Sequence, residues 1–362
     1  MLKVAITSPS LDENEGVSGI GKHTRLLISA CKNIEFRHVT VGRKDSQKRN
    51  LFWIFNQFLV IGKFAFKVVI VDIVHLNIPL ANYSLYINFV LAFLTKLLGK
   101  TLVIHFRGGE LSLKDKHSFL QKLIIGYFLK VADKVISLGE KERQYYVGYN
   151  KKKYVSKVVC LPNAVKITEI DGEKIKTKFE FDTLHLVYVG RIDFAKGLKE
   201  IISALQSLND IPYFLHIIGD GPDMSEFKGK LEDSIGKRYK LHGVKSIDEI
   251  YAILEFCQIF IMPSHYEGLP NAMLEAMANY VVPIVTPVGS IPEVVSRENG
   301  YLVAVKNPKM LAETIRLAHN DKHLLYLKSV AARQLMVEQY SIESYIEKLN
   351  EIYHILLPDI RI

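Results

Sequence analysis

The chain has 362 residues, 49% hydrophobic and 23% charged, a balance that excludes a disordered chain and fits two packed domains of ordinary size. The net charge of +9 hides a split: residues 1–162 carry 25 Lys and Arg against 11 Asp and Glu, whereas residues 163–362 carry 22 against 27. The three cysteines, Cys31, Cys160 and Cys257, are far apart and form no C-x-x-C pair, so neither a disulfide framework nor a zinc knuckle is expected, and a reducing compartment is.

The opening "MLKVAITSPS" reads as a buried strand running into a loop, not as a secretory leader. "SGIGKHTRLL" (18–27) follows and opens a helix predicted over 20–31. Gly19 and Gly21 let backbone approach a ligand closely, and the helix start suits an anion. Position 24 is Thr, so the full G-x-G-x-x-G dinucleotide fingerprint is not met, and a tight turn without a ligand reads equally well. Two very apolar stretches come next, 51–71 and 83–100, carrying Lys63, Lys67, Lys96 and Lys100. They read either as core helices or as a face on an anionic membrane, where apolar area and cationic attraction act together. "DIVHLN", "TLVIHF", "KVISLG" and "VVCLP" read as further buried strands, with a helix over 119–131.

The segment 161–182 is polar and turn-prone and marks a junction. Beyond it the alternation repeats with "LHLVYVG", "FLHIIGD", "KLHGV", "IFIMPS", "VPIVT" and "GYLVA". Strand–helix alternation implies right-handed β-α-β units and parallel sheets. The expected fold is α/β, with two doubly wound, Rossmann-like domains facing each other across a cleft: 1–163, and 164–340. The last helix, 341–357, has one apolar stripe (342, 345, 346, 349, 352, 353, 356) and is expected to pack on a domain. No run of eighteen apolar residues occurs, so no membrane span is expected.

Ligands of doubly wound sheets bind beyond the carboxyl ends of the strands. In "VGRIDFAKG" (189–197) Gly190 and Arg191 stand at such an end, and Lys196 lies five residues on. Arginine's fork of donors and lysine's point charge can converge on a diphosphate. "IIGDGPD" and "LHGV" (Gly243, Val244) are strand ends that can frame a base with backbone groups, or ordinary turns. "HYEGLPNAMLEAMA" (265–278) sets Glu267 before a turn and Glu275 inside the following helix, eight residues later. At the helix start the amides of Asn271 and Ala272 are expected to meet phosphate, and Pro270 has none. Glu275 can accept both hydroxyls of a ribose, and Glu267 can reach what lies beyond the phosphates. The bland reading makes the first an exposed helix residue and the second a turn residue.

"GRIDFAKGL", "IIGDGP", "PSHYEGLPNAMLEAMA", "GSIPEVV" and "ENGYLV" come in the order and spacing of retaining glycosyltransferases of the GT-B fold, family four, which the chain resembles. The first half is similar more loosely, through "SGIGKHT", "DIVHLN", "VIHFRGGE" and "LPNAV". The resemblance implies transfer of a sugar from a UDP- or GDP-linked donor to a glycan acceptor, lipid-linked, in surface-polysaccharide synthesis. It implies a cytoplasmic enzyme on the inner face of the membrane, and no cofactor. Arg191 and Lys196 would hold the diphosphate, Glu275 the ribose, Glu267 the donor sugar; His105 would contact that sugar, Gly19 would lie near the phosphates, and the tail 341–362 would return to the first domain. Where many members have Gly-Phe-Gly after the first glutamate, this chain has Gly268-Leu269-Pro270, which removes one backbone donor. No Asp-x-Asp pair occurs, so no metal is expected at the donor. A GT-B nucleotide-sugar epimerase and a non-catalytic nucleotide-sugar-binding protein are the alternatives. No nucleic-acid role is expected, because the lysines of the basic half carry no recognisable motif.

Overall fold

The computed structural model describes residues 1–12, 18–42, 51–80, 82–108 and 118–358. They divide into two compact units, Met1–Asn163 with Ile342–Ile362, and Ala164–Ser341.

The first unit begins β1 (Leu2–Ser8), α1 (Gly19–Ala30), β2 (Ile34–Thr40), α2 (Leu51–Val69) and β3 (Ile73–Ile78). It continues α3 (Asn82–Leu97), β4 (Thr101–Phe106), α4 (Phe119–Val131), β5 (Lys134–Ser137), α5 (Glu140–Gly148), α6 (Lys151–Tyr154) and β6 (Val158–Cys160). The six strands are all parallel in the order β2-β1-β3-β4-β5-β6. Because β1 lies between β2 and β3, the right-handed crossover rule puts α1 on one face of the sheet and α2, α3 and α4 on the other. The packing agrees. Phe64 and Val68 of α2, Leu85 and Leu91 of α3, and Ile125 and Phe128 of α4 share one buried core. The helix that closes the chain packs with α1.

The second unit runs α7 (Gly172–Glu180), β7 (Leu184–Val189), α8 (Leu198–Gln206), β8 (Tyr213–Ile218), α9 (Met224–Ile235) and β9 (Tyr239–Gly243). It ends α10 (Ile247–Leu254), β10 (Ile259–Met262), α11 (Asn271–Ala278), β11 (Val282–Val285), β12 (Tyr301–Leu302), α12 (Pro308–Asn320) and α13 (Lys322–Gln339). Its sheet is also parallel, in the order β12-β11-β10-β7-β8-β9. The helix α14 (Ile342–Leu356) returns to the first unit.

Local chemistry explains the boundaries. Ser18 caps α1 by accepting from Gly21 N, and Ser118 with Gln121 and Ser246 with Glu249 form capping boxes at α4 and α10. Two elements depart from the sequence expectation. "IEFRHVT" is an edge strand, and its charged middle hides the apolar run that marks the central strands. The junction segment, expected to be irregular, holds α7, capped by Asp171 and anchored through Ile175 and Phe179. No helix among the described residues is long and apolar enough to cross a membrane.

Candidate active site

In the second unit the carboxyl ends of β7, β8 and β9 are laced together by backbone. Gly190 N donates to Ile218 O (2.9 Å), Gly219 N to Gly243 O (2.8 Å) and Ile192 N to Asp220 O (3.0 Å). This lacing holds the loop that bears Arg191. Tyr188, buried in β7, donates its hydroxyl to Arg191 O (2.6 Å); burial pushes that phenol well above its ordinary pKa. The Arg191 side chain is exposed and has no side-chain hydrogen bond or ion pair to any described residue. A guanidinium left over at the carboxyl end of a central strand is a ready anion ligand.

Lys196 closes a short 3-10 turn, Phe194–Lys196, capped by Asp193, which accepts from Ala195 N (2.9 Å). Gly197 follows with φ +80°, and a Cβ there would lie 2.2 Å from Pro263 O. Only glycine therefore lets this turn seat against the chain leaving β10. That contact brings Lys196 Nζ to Glu267 Oε1 at 2.7 Å, with Ser264 Oγ donating to the same oxygen at 3.0 Å. The ammonium also lies 5.5 Å from the Tyr266 ring centre. From the other side, Gly289 (φ +57°) presses on the turn: a Cβ would meet Glu267 O at 2.3 Å, and Ser290 N donates to Gly268 O (2.9 Å).

Helix α11 starts at Asn271 with Pro270 as its cap residue, which supplies no side-chain cap. Glu275, in the second turn, is buried, and its charge helps raise the Tyr251 phenol, after burial itself. The far end of α11 is tied down by two cations: Lys178 Nζ donates to Asn279 O (3.0 Å), and Arg333 to Ala278 O.

Gly190, Arg191, Lys196, Gly243, Val244, Glu267, Gly268, Leu269, Asn271, Ala272 and Glu275 all belong to this unit; Gly19 and His105 belong to the first. Gly19 is exposed at the first position of α1. His105 is fully enclosed in β4, with its ring 5.5 Å from that of His75. Burial, then the Arg107 charge, holds its pKa well below the ordinary histidine range. The residue that gathers the neighbourhood is Arg107, two positions on. It donates to Asn77 Oδ1 (2.7 Å) and Asn163 Oδ1 (2.8 Å) and pairs with His23 Nδ1 (2.8 Å). It lies inside "VIHFRGGE", where an arginine straight after an apolar strand is itself a signal; Gly109 and Glu110 of that stretch lie outside the described residues.

Residues 171–334 match the family model described as Glycosyl transferases group 1. The matched residues fall wholly within the second unit. Among the curated proteins, the chain is similar to the capsular polysaccharide biosynthesis glycosyltransferase CapM of Staphylococcus aureus, 26% identical over 53% of this chain and 52% of the relative. It therefore spans about half the length of that relative. It is also similar to an Escherichia coli UDP-Gal:α-D-GlcNAc-diphosphoundecaprenol α-1,3-galactosyltransferase, 24% identical over 71% of this chain and 70% of the relative. In fold, it superimposes on Anabaena HepE, crystallised with UDP and glucose, with TM-score 0.72 and 14% identity over 98% of this chain and 99% of that one. The fold is GT-B, two parallel six-stranded α/β units. Within the matched residues lie Arg191, the Lys196–Glu267 pair and Glu275. No cluster of three or more His, Cys, Asp or Glu suited to a metal ion occurs among the described residues.

Proposed function

We propose that the protein is a retaining glycosyltransferase of surface-polysaccharide synthesis, moving a sugar from a UDP- or GDP-linked donor to a lipid-linked glycan at the inner face of the membrane, without a metal. The observation that carries this reading is the Lys196–Glu267 pair at 2.7 Å, set beside an Arg191 that no described side chain engages. Arg191 and Lys196 take the donor diphosphate, assisted by the amides of Asn271 and Ala272. Glu275 accepts the ribose hydroxyls, Glu267 orients the sugar, and Gly190, Gly243 and Val244 frame the base. The front-face departure of a diphosphate demands charge stabilisation more than a general base, and Arg191 together with Lys196, the latter held by Glu267, supplies it. Glu267 has a second duty. Its carboxylate holds Lys196 in place before the donor arrives, so the ammonium needs little reorganisation to meet the leaving group. The relatives named for UDP-sugars and for a diphosphoundecaprenol acceptor support the donor and acceptor classes.

The test is transfer of radiolabelled sugar from UDP- and GDP-sugars to diphosphoundecaprenol-linked saccharides, with the product anomer read by NMR and a parallel reaction in EDTA. Lys196→Ala and Arg191→Ala should each cut turnover by about a hundredfold, the scale of one transition-state charge donor. Donor binding without transfer or hydrolysis by the native chain would instead identify a nucleotide-sugar-binding protein.

A further inference from the structure

The inner stripes of α2, α3 and α4 fill the core of the first unit, and their outer stripes are also apolar. On α3, Tyr83, Tyr86, Phe89, Phe93 and Leu97 are exposed, three or four residues apart, along one side of the helix. Leu59 and Phe66 on α2, and Ile70 just past its end, repeat the pattern, with Phe66 78% exposed. Phe119, Leu120 and Leu123 do so at the start of α4, with Phe119 79% exposed. The three helices are neighbours in one layer: α3 touches both α2 and α4, and the Phe89 and Tyr127 rings lie 4.7 Å apart. Their outer stripes therefore join into one surface rather than three isolated patches, and soluble monomers rarely leave so much contiguous apolar area bare.

Charge selects the occupant. None of α2, α3 and α4 contains a single Asp or Glu, while Lys63, Lys122 and Lys130 are exposed on them. Lys96 is held by Asp133 (2.9 Å), and Lys100 donates to Val69 O (2.8 Å) and Val71 O (3.0 Å). A second protein surface would need no such one-sided charge. We propose that the outer faces of α2, α3 and α4 dock the first unit on an anionic lipid bilayer, with Phe66, Phe93 and Phe119 at the acyl boundary and the exposed lysines at the headgroups. Tyr83 and Tyr86 suit the interface, having an apolar ring and a polar tip. The contact is interfacial, since no helix among the described residues is fit to cross. It builds on the lipid-linked acceptor proposed above and would bring the chain to the surface where such an acceptor lies.

The experiment uses the full chain and sedimentation with vesicles of phosphatidylcholine alone or of equimolar phosphatidylcholine and phosphatidylglycerol. The native chain should sediment with the anionic vesicles and be released by salt. The triple variant Phe66→Asp, Phe93→Asp, Phe119→Asp should bind at least about a hundredfold more weakly, from three aromatic anchors lost. Lys63→Glu with Lys122→Glu leaves every apolar anchor in place, so it keeps the test open if the triple variant misfolds. It should weaken binding on the order of tenfold. Thermal shift with UDP and GDP, run beside the vesicle assay, separates this surface from the donor site. Nucleotide stabilisation with no vesicle binding overturns the docking surface and spares the transferase reading. Vesicle binding without nucleotide stabilisation upholds the surface and removes that reading. Vesicle binding undiminished in both variants, or a native dimer that the triple variant makes monomeric, overturns the proposal.

Discussion

Gly197→Ala tests how the candidate site is built. Gly197 has φ +80° and ψ 22°, a left-handed conformation that costs an alanine about 1–2 kcal/mol. Its Cβ would also stand 2.2 Å from Pro263 O, a backbone atom that cannot rotate away. The turn must then lift by about 1 Å, and forced overpacking of that kind typically costs a further ~1–3 kcal/mol. The sum is about 2–5 kcal/mol. In a unit of this size it lowers the melting temperature by on the order of 10 °C. Gly243→Ala is the control, because φ there is +69° and nothing lies within 4 Å of the added methyl. It should show only the left-handed cost, about 1–2 kcal/mol. Scanning calorimetry of both variants isolates the steric part as their difference. Lifting the turn also withdraws Lys196 from Glu267, so sugar transfer should fall far more in Gly197→Ala than its residual folded fraction explains. Equal melting shifts in the two variants would refute the reasoning, because the close approach to Pro263 would then carry no energy.

Glu275→Ala should weaken nucleotide binding in calorimetry while leaving the fold intact; unchanged affinity would remove the ribose assignment. Stability should also depend on pH through a ladder of histidines across β7, β8 and β9, in which His185 Nδ1 lies 3.0 Å from His216 Nε2, and His216 Nδ1 3.1 Å from His242 Nε2. Burial foremost, then the charges of His185 and His242, lowers His216 to about 4. The unfolded chain therefore binds the extra proton between its ordinary value and 4, so stability is full above about pH 6.5 and declines toward pH 4, by up to about 3 kcal/mol. His216→Gln should flatten that slope in acid titrations followed by circular dichroism. Lys178 gives the alkaline counterpart. Burial lowers its ammonium to about 7, so the folded chain gives up a proton that the unfolded chain keeps until its ordinary range. Stability should rise from pH 7 upward, and Lys178→Met should abolish the rise.

Strand–helix alternation was legible because the central strands are unbroken apolar runs: "LVYV" and "IFIM" are buried at every position. β2 escaped notice because an edge strand is half solvated, and "EFR" in its middle reads as loop. α7 escaped because a short helix with one apolar stripe, Ile175 and Phe179, looks polar until its partners are known. Among site residues, Arg191, Lys196, Glu267 and Glu275 stood out as charges at strand ends or inside an apolar run. The enclosure of His105 was not legible, since position within a strand does not tell how deeply its side chain is covered.

The order of apolar runs, the charge split and the motif spacing are properties of the chain as written, and they determine two parallel α/β units with their candidate ligand residues at strand ends. Three-dimensional contact alone decided the rest. The Lys196–Glu267 pair spans 71 residues and exists because Gly197 admits Pro263 O. The apolar stretches 51–71 and 83–100 divide into inner stripes that form the core and outer stripes that stay exposed among the described side chains. Helical periodicity can name both stripes. Which one meets the sheet depends on the side from which the chain crosses over, and that direction is set by the fold as a whole.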